Sequence, residues 1–190
     1  MTRDQIDPRA DRGFTLIELI VASGLIVLVL SVLGGIMISS MTTERSVRTL
    51  TTATSTGQLV TGSLEDGIRN AATPITFTAP GGIDQMITAR VAGTGSALTF
   101  SCQAWYYSSA NKTIRYKRAD TAITAANAAA QTGWTLLAEG VTPKTTGVPV
   151  FSLSGSTVSF AFKVDAGKYP AVVFDSSITS QSGVTGVAPC

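Results

Sequence analysis

The sequence predicts an α+β fold, in which one long N-terminal helix packs against an antiparallel β-sheet head. Residues 19–38 are apolar and contain no ionisable side chain, and a helical spacing of apolar residues continues from Ala53 onward. After Thr73 the composition changes to short segments rich in β-branched and aromatic residues, separated by Gly, Ser, Asn and Pro. A chain of 190 residues is long enough for one globular domain in addition to such a helix.

The first half of the predicted helix has the length of a membrane span. The twenty residues from Leu19 to Ile38 would extend about 30 Å, the thickness of a bilayer core. Residues 1–13 include three acidic and three basic side chains, which is unlike the basic start of a secretory signal peptide. Glu18 stands at the edge of this run, and a carboxylate there indicates a functional role because burying a charge in lipid costs about 2.5–3.5 kcal/mol.

The run from Arg12 to Leu19, RGFTLIEL, resembles the leader-cleavage motif of type IV prepilins and the related pseudopilins. The resemblance implies the pilin fold and cleavage of a leader, residues 1–13, by the prepilin peptidase between Gly13 and Phe14. It also implies N-methylation of Phe14 and places Glu18 fifth in the mature chain. In filaments of this family, that glutamate approaches the terminal amine of a neighbouring subunit, so Glu18 would pair with a neighbour's Phe14.

The resemblance implies a structural, non-enzymatic role as a subunit, minor rather than major, of a type IV pilus. The segments 113–118 and 134–141 weakly resemble the larger minor pilins. The partners would be other pilin subunits, the prepilin peptidase, the inner-membrane assembly platform and, before assembly, the lipid bilayer. The chain would be a single-pass cytoplasmic membrane protein first, and later part of an extracellular pilus. The alternatives are a pseudopilin of a type II secretion system, in a periplasm-spanning pseudopilus, a DNA-binding competence minor pilin, and a single-pass binding protein that forms no filament.

The second half of the helix has a narrow apolar stripe, which predicts packing under the head. The helix is predicted to cover residues 14–72 and to stop at Thr73-Pro74, because the residue before proline is disfavoured in the α region. The pair Gly34-Gly35 is a weak point that could melt on assembly, or could serve close helix packing in the bilayer. The stripe consists of Ala53, Gly57, Val60, Leu64, Ile68 and Ala71.

The head, residues 73–190, is predicted to form one antiparallel sheet. Turns are expected at 108–112 and 154–156, and the stretch 119–131 is a loop or a short helix. Between Thr157 and Val164, apolar and polar residues alternate as in a half-buried strand. Strands are expected at Ile75–Thr78, Met86–Ala92, Ala97–Tyr107, Thr113–Arg118, Trp134–Ala138, Val148–Leu153, Thr157–Val164 and Ala171–Phe174.

The chain has two cysteines, Cys102 in a predicted strand and Cys190 after the last predicted strand. Outside the cytoplasm such a pair usually forms a disulfide, which would tie the end of the head to its sheet. The alternative is an exposed Cys190 that pairs between subunits. A chain without histidine excludes Ser-His-Asp and Cys-His catalysis, and two cysteines alone cannot complete a zinc site. We therefore expect no enzyme activity, no metal and no cofactor.

One predicted hairpin combines basic and aromatic residues. A nucleic-acid groove needs cations for phosphates and flat rings for bases, so this hairpin is a candidate DNA contact. Strand alternation instead places Arg115 and Lys117 on one face and Tyr116 and Arg118 on the other, which favours a division of the set between core and solvated edge over a single binding stripe. The basic candidates are Lys112, Arg115, Lys117 and Arg118, and the aromatic ones are Trp105, Tyr106, Tyr107 and Tyr116.

Overall fold

The computed structural model describes residues 15–93, 99–124, 131–184 and 186–190, and it has the predicted α+β architecture. The chain divides into two compact units, residues 1–45 and 46–190. Within the described residues one α-helix, α1, extends over Leu16–Arg69, and nine strands follow, with a short 3₁₀ helix at Pro80–Gly82 between the first two. The strands are β1 Ala71–Thr78, β2 Gln85–Ala92, β3 Phe100–Ser108, β4 Thr113–Ala119, β5 Thr135–Glu139, β6 Val141–Pro143, β7 Phe151–Ser154, β8 Thr157–Ala166 and β9 Tyr169–Thr179.

In the first unit, α1 is long and apolar enough to cross a membrane. All of its large hydrophobic side chains between Leu16 and Met41 are at least half exposed. The apolar run 19–38 contains two serines, and both are satisfied within the helix, since Ser23 Oγ donates to Ile20 O at 2.9 Å and Ser31 Oγ donates to Val27 O at 2.8 Å. These internal bonds leave no hydroxyl that would need water inside a lipid bilayer. The helix runs without a break through Gly34-Gly35, and melting there on assembly stays a prediction.

In the second unit, the predicted stripe of α1 is buried from Ala53 to Ile68. The helix ends at Arg69, three residues earlier than predicted, because Ala71 and Ala72 pair with Val91 and Arg90 as the start of β1. Strand pairing is irregular between Ala72 and Thr76, around the proline that cannot donate a ladder hydrogen bond. The apolar residue Ala71 is therefore buried in a strand and not in the helix.

The head contains two antiparallel sheets where one was predicted. The first sheet has the order β1-β2-β3-β4-β5. In the second sheet, β8 pairs with β9 along one edge and with β7 and then β6 along the other. The short strand β6 was not predicted. It begins directly after Gly140, whose φ of +66° lets the chain turn from the first sheet into the second.

The main core lies between α1 and the inner faces of both sheets. It contains the alternating residues of β8, of which Val158, Phe160 and Phe162 are at most 1% exposed, as the sequence pattern predicted. Two glycines of α1 allow close packing, because a Cβ on Gly57 would lie 2.0 Å from Phe174 and one on Gly67 would lie 2.2 Å from Trp105. The predicted turns at 108–112 and 154–156 are present, whereas residues 125–130 of the predicted loop or short helix lie outside the described residues.

Candidate functional site

The Glu18 carboxylate takes part in capping the N-terminal end of α1. Glu18 Oε2 accepts hydrogen bonds from Thr15 N at 3.0 Å and from Thr15 Oγ1 at 2.9 Å. In return, Glu18 N donates to Thr15 Oγ1 at 3.3 Å. This reciprocal arrangement is a capping box, in which the residue before the helix and the third helical residue satisfy each other's backbone donors. A carboxylate in the first turn is also favoured by the positive end of the helix dipole.

The capping role of Glu18 was visible in the sequence but was not predicted. Threonine followed three residues later by glutamate, just before an apolar run, is the standard signature of such a box. Glu18 therefore has an observed role as a helix cap and an expected role in an intersubunit ion pair. Gly13 and Phe14, the residues of the expected cleavage site, lie outside the described residues, so cleavage and methylation stay predictions.

The apolar surroundings of Glu18 are continuous along one face of the helix. Its neighbours three, four and seven residues on are Val21, Ala22 and Leu25, and these residues line a shallow groove with it and Ile17. From Leu19 to Ile38 no other ionisable side chain is present. A charged group in such a setting would be costly in lipid unless it were paired.

The aromatic part of the basic hairpin is buried. Trp105, Tyr106 and Tyr107 are 0%, 3% and 3% exposed. Trp105 packs on α1, and its Nε1 donates to Ser63 Oγ at 2.9 Å. Rings in these positions cannot stack on nucleic-acid bases, which corrects the interpretation of these three residues as base contacts.

The basic part of the hairpin is divided between two faces, as strand alternation predicted. Arg115 and Lys117 lie opposite Tyr106 and Ala104 on the face that turns away from α1, whereas Arg118 lies opposite Gln103 on the other face. Lys117 Nζ lies 6.0 Å from the ring centroid of Trp134, an aromatic residue that the sequence did not link to this patch. Lys112 is exposed in the hairpin turn. The four cations therefore do not form one stripe, and a DNA contact by them stays untested.

The carboxylate of Asp84 accepts hydrogen bonds from two residues of the same hairpin. Tyr106 Oη donates to its carboxylate, and Ser109 donates to it through the backbone N at 2.8 Å and through Oγ at 3.1 Å. Burial, followed by the bond to Asp84, raises the pKa of Tyr106 to about 12. These contacts fix the turn between β3 and β4, so the Asp84 carboxylate has a structural role.

The predicted disulfide is present, with Cys102 bonded to Cys190 and their Cα atoms 5.6 Å apart. It attaches the end of the chain to the face of the first sheet that turns away from α1. There, Cys190 packs against a small second core, and Trp134 and Tyr106 lie in ring contact within it. Both cysteines are used within the chain. In the described part of the chain, no three His, Cys, Asp or Glu side chains are close enough together to hold a metal ion.

Comparison with known families assigns the N-terminal segment. The model of the prokaryotic N-terminal methylation motif matches residues 8–39. No curated protein and no solved structure matches the chain. The match covers the RGFTLIEL run and the apolar run 19–38 of α1, and it does not extend to the head. Residues 8–39 and the apolar helix within them thus carry the prokaryotic N-terminal methylation motif, consistent with a type IV prepilin-like protein.

Proposed function

We propose that the protein is a structural subunit of a type IV pilus, assembled through α1 after its leader is removed. The observation that supports this most is the exposed apolar face of α1. From Leu16 to Met41 every large hydrophobic side chain is at least half exposed. Such a helix needs either lipid or other helices around it, and a filament core supplies the second.

Processing would precede assembly. The prepilin peptidase would cut between Gly13 and Phe14 and methylate the new amine of Phe14, while α1 anchors the chain once across the cytoplasmic membrane. The assembly platform would then move the subunit into an extracellular pilus, where other pilin subunits replace lipid around α1. This proposal gives the head no catalytic role.

The capping box suggests how Glu18 changes partners. In the free subunit its carboxylate is satisfied by Thr15, so the charge is already hydrogen-bonded. In a filament, the same oxygens would receive the Phe14 amine of a neighbour, and two charges that are each costly in an apolar medium would neutralise each other. The attraction in low dielectric falls steeply with distance, so it would favour one axial register between subunits.

The proposed pairing is tested by replacing Glu18 with alanine. Glu18→Ala should be inserted and cleaved normally but should be almost absent from sheared filaments, because the neighbouring amine would be left buried without a partner. Asp66→Ala, which removes an exposed acid from the head part of α1, is the matched control and should assemble like wild type. Normal amounts of Glu18→Ala in filaments would disprove the pairing.

Mass spectrometry of protein from sheared filaments tests the wider proposal. The expected species begins at methylated Phe14 and contains the Cys102–Cys190 bridge. Its ratio to the most abundant pilin separates a minor from a major subunit. An intact N-terminus in the membrane, with no protein in filaments, would instead favour the single-pass binding protein.

A further inference from the structure

The two sheets of the head have four outer edges, and two of these are protected. The start of the β1 edge is covered by the segment after β9, where Ser182 Oγ donates to Ala71 O at 2.7 Å, and β1 also contains Pro74, which cannot donate a ladder hydrogen bond. The edge formed by β6 and β7 consists of strands of three and four residues. Covered or very short edges are the usual ways in which proteins prevent strand pairing between molecules.

The edge of β5 is open. This strand pairs with β4 on one side, and no described residue pairs with its other side. A groove of about 530 Å³ runs along it, lined by Leu136–Glu139, by Thr52, Ala53 and Thr56 of α1, and by Val164 and Asp165 of β8. The strand contains neither lysine nor proline, the residues that commonly block an exposed edge.

The edge of β9 is open as well. Its eleven residues, Tyr169–Thr179, pair with β8 only, and within the described ranges no other strand lies beside them. Pro170 is close to its start, which leaves the backbone from Ala171 onward able to form a ladder.

The two open edges have complementary side chains. Leu136 in β5 is 38% exposed and Val173 in β9 is 49% exposed, and these are the two exposed large hydrophobic residues within the described strands. Each lies on the sheet face that turns away from the main core, since Leu136 lies opposite Arg115 and Val173 opposite Lys163. β5 ends at the acidic Glu139, whereas the basic Lys168 directly precedes β9.

We propose that the β5 edge of one copy pairs with the β9 edge of the next copy in the filament, an inference that rests on the proposed pilus function. Antiparallel pairing brings Glu139 towards Lys168 of the next copy and Leu136 towards Val173, with the core faces of both sheets on the same side. In symmetric antiparallel pairing of β5 with β5, Glu139 would lie opposite Thr135 and would gain no basic partner. Main-chain hydrogen bonds supply the affinity in such strand additions. Because the two edges differ, the contact repeats without closing, as a filament requires.

Cross-linking of the full-length protein tests the contact. A chain with both Leu136→Cys and Val173→Cys, treated in filaments and in membranes with a short bismaleimide, should give a ladder of covalent multimers on a denaturing gel. The reagent bridges both direct and diagonal strand neighbours, which lie about 5–8 Å apart. The native cysteines do not interfere, because they are bonded to each other.

The matched control combines Val173→Cys with Ile83→Cys, a residue that is 67% exposed but lies in a loop away from both edges. It should give no ladder beyond dimers. A second measurement uses Leu136→Lys, which places a charge on the open edge without filling the core. This variant should unfold at the wild-type temperature but lose most of its filament incorporation.

Filament recovery of the wild-type protein separates the two proposals. If filaments contain the protein but the double-cysteine chain gives no more ladder than the control, edge pairing is wrong and the pilus function stands. If the protein never enters filaments but the ladder forms in membranes, edge pairing stands and the pilus function is wrong. If neither filament entry nor a ladder is found, both are wrong.

Discussion

Replacing Gly67 by alanine should destabilise the head, although alanine favours a helix. A Cβ at this position would lie 2.2 Å from Trp105 Cη2, 2.4 Å from Cζ2 and 2.9 Å from Gln103 Oε1. Ordinary contacts are near 3.4 Å or longer, so the indole ring would have to move by more than 1 Å. The ring is fully buried, and its Nε1 is bonded to Ser63 Oγ at 2.9 Å, which restrains that movement.

The expected magnitude combines opposing effects. Alanine stabilises a helix interior by about 1 kcal/mol relative to glycine. Over-packing of a filled core costs about 1–3 kcal/mol, and losing the bond from Trp105 to Ser63 costs about 1 kcal/mol more. Gly67→Ala should therefore lower the free energy of unfolding by about 1–3 kcal/mol, the net of these effects.

Gly62 supplies the matched control on the same helix. Nothing lies within 4 Å of a Cβ built there, so Gly62→Ala should raise the stability by about 1 kcal/mol. Urea unfolding of the full-length protein in mild detergent, followed by tryptophan fluorescence and far-UV circular dichroism, measures both variants. Equal stability of the two variants would refute the close packing of α1 on Trp105.

Two further predictions concern the other face of the first sheet. Reduction of the Cys102–Cys190 bridge, which joins residues 88 apart, should lower the free energy of unfolding by about 4 kcal/mol, from the entropy of the loop it closes. Thermal unfolding with and without reductant measures this loss. The control variant Cys190→Ser should unfold at the same temperature with and without reductant. The raised pKa of Tyr106 means that burial favours its neutral form, so its contribution to stability should be complete below about pH 10 and lost as the pH rises through about 12. Absorbance at 295 nm follows this titration, and Tyr106→Phe should remove the step; a step that persists in this variant would assign it to another tyrosine.

The local features of the fold were predictable from the sequence. The alternation in β8 correctly identified the buried residues Val158, Phe160 and Phe162, and the stripe of α1 identified those from Ala53 to Ile68. Both patterns depend on neighbours a few residues away, which is the range over which side-chain period determines burial. The disulfide followed from the number of cysteines and the expected export of the chain.

The features that the sequence did not reveal depend on distant contacts. The nine strands divide into two sheets because the chain turns at Gly140 and because β8 pairs with β6, β7 and β9. Strand pairing of this kind joins separate segments of the sequence, so no single short segment predicts it. The burial of Trp105, Tyr106 and Tyr107 has the same origin, because α1 covers one face of β3 and Trp134 covers the other. The capping box at Thr15 and Glu18 differs from these, since its signal, a threonine followed three residues later by a glutamate, is local.

The segment after β9 imposes an order on the maturation of the head. The last carbonyls of a helix need partners from outside it, and here Arg69 O is bonded by Gln181. Ala71 O receives the hydroxyls of Ser180 and Ser182, residues that follow it by 109 and 111 positions. A chain that is synthesised N-terminus first leaves this end of α1 without these partners until residues 180–182, more than a hundred positions later, have been made. The whole of α1 is thus made early, whereas its junction with the head gains these bonds only after β9 has been made.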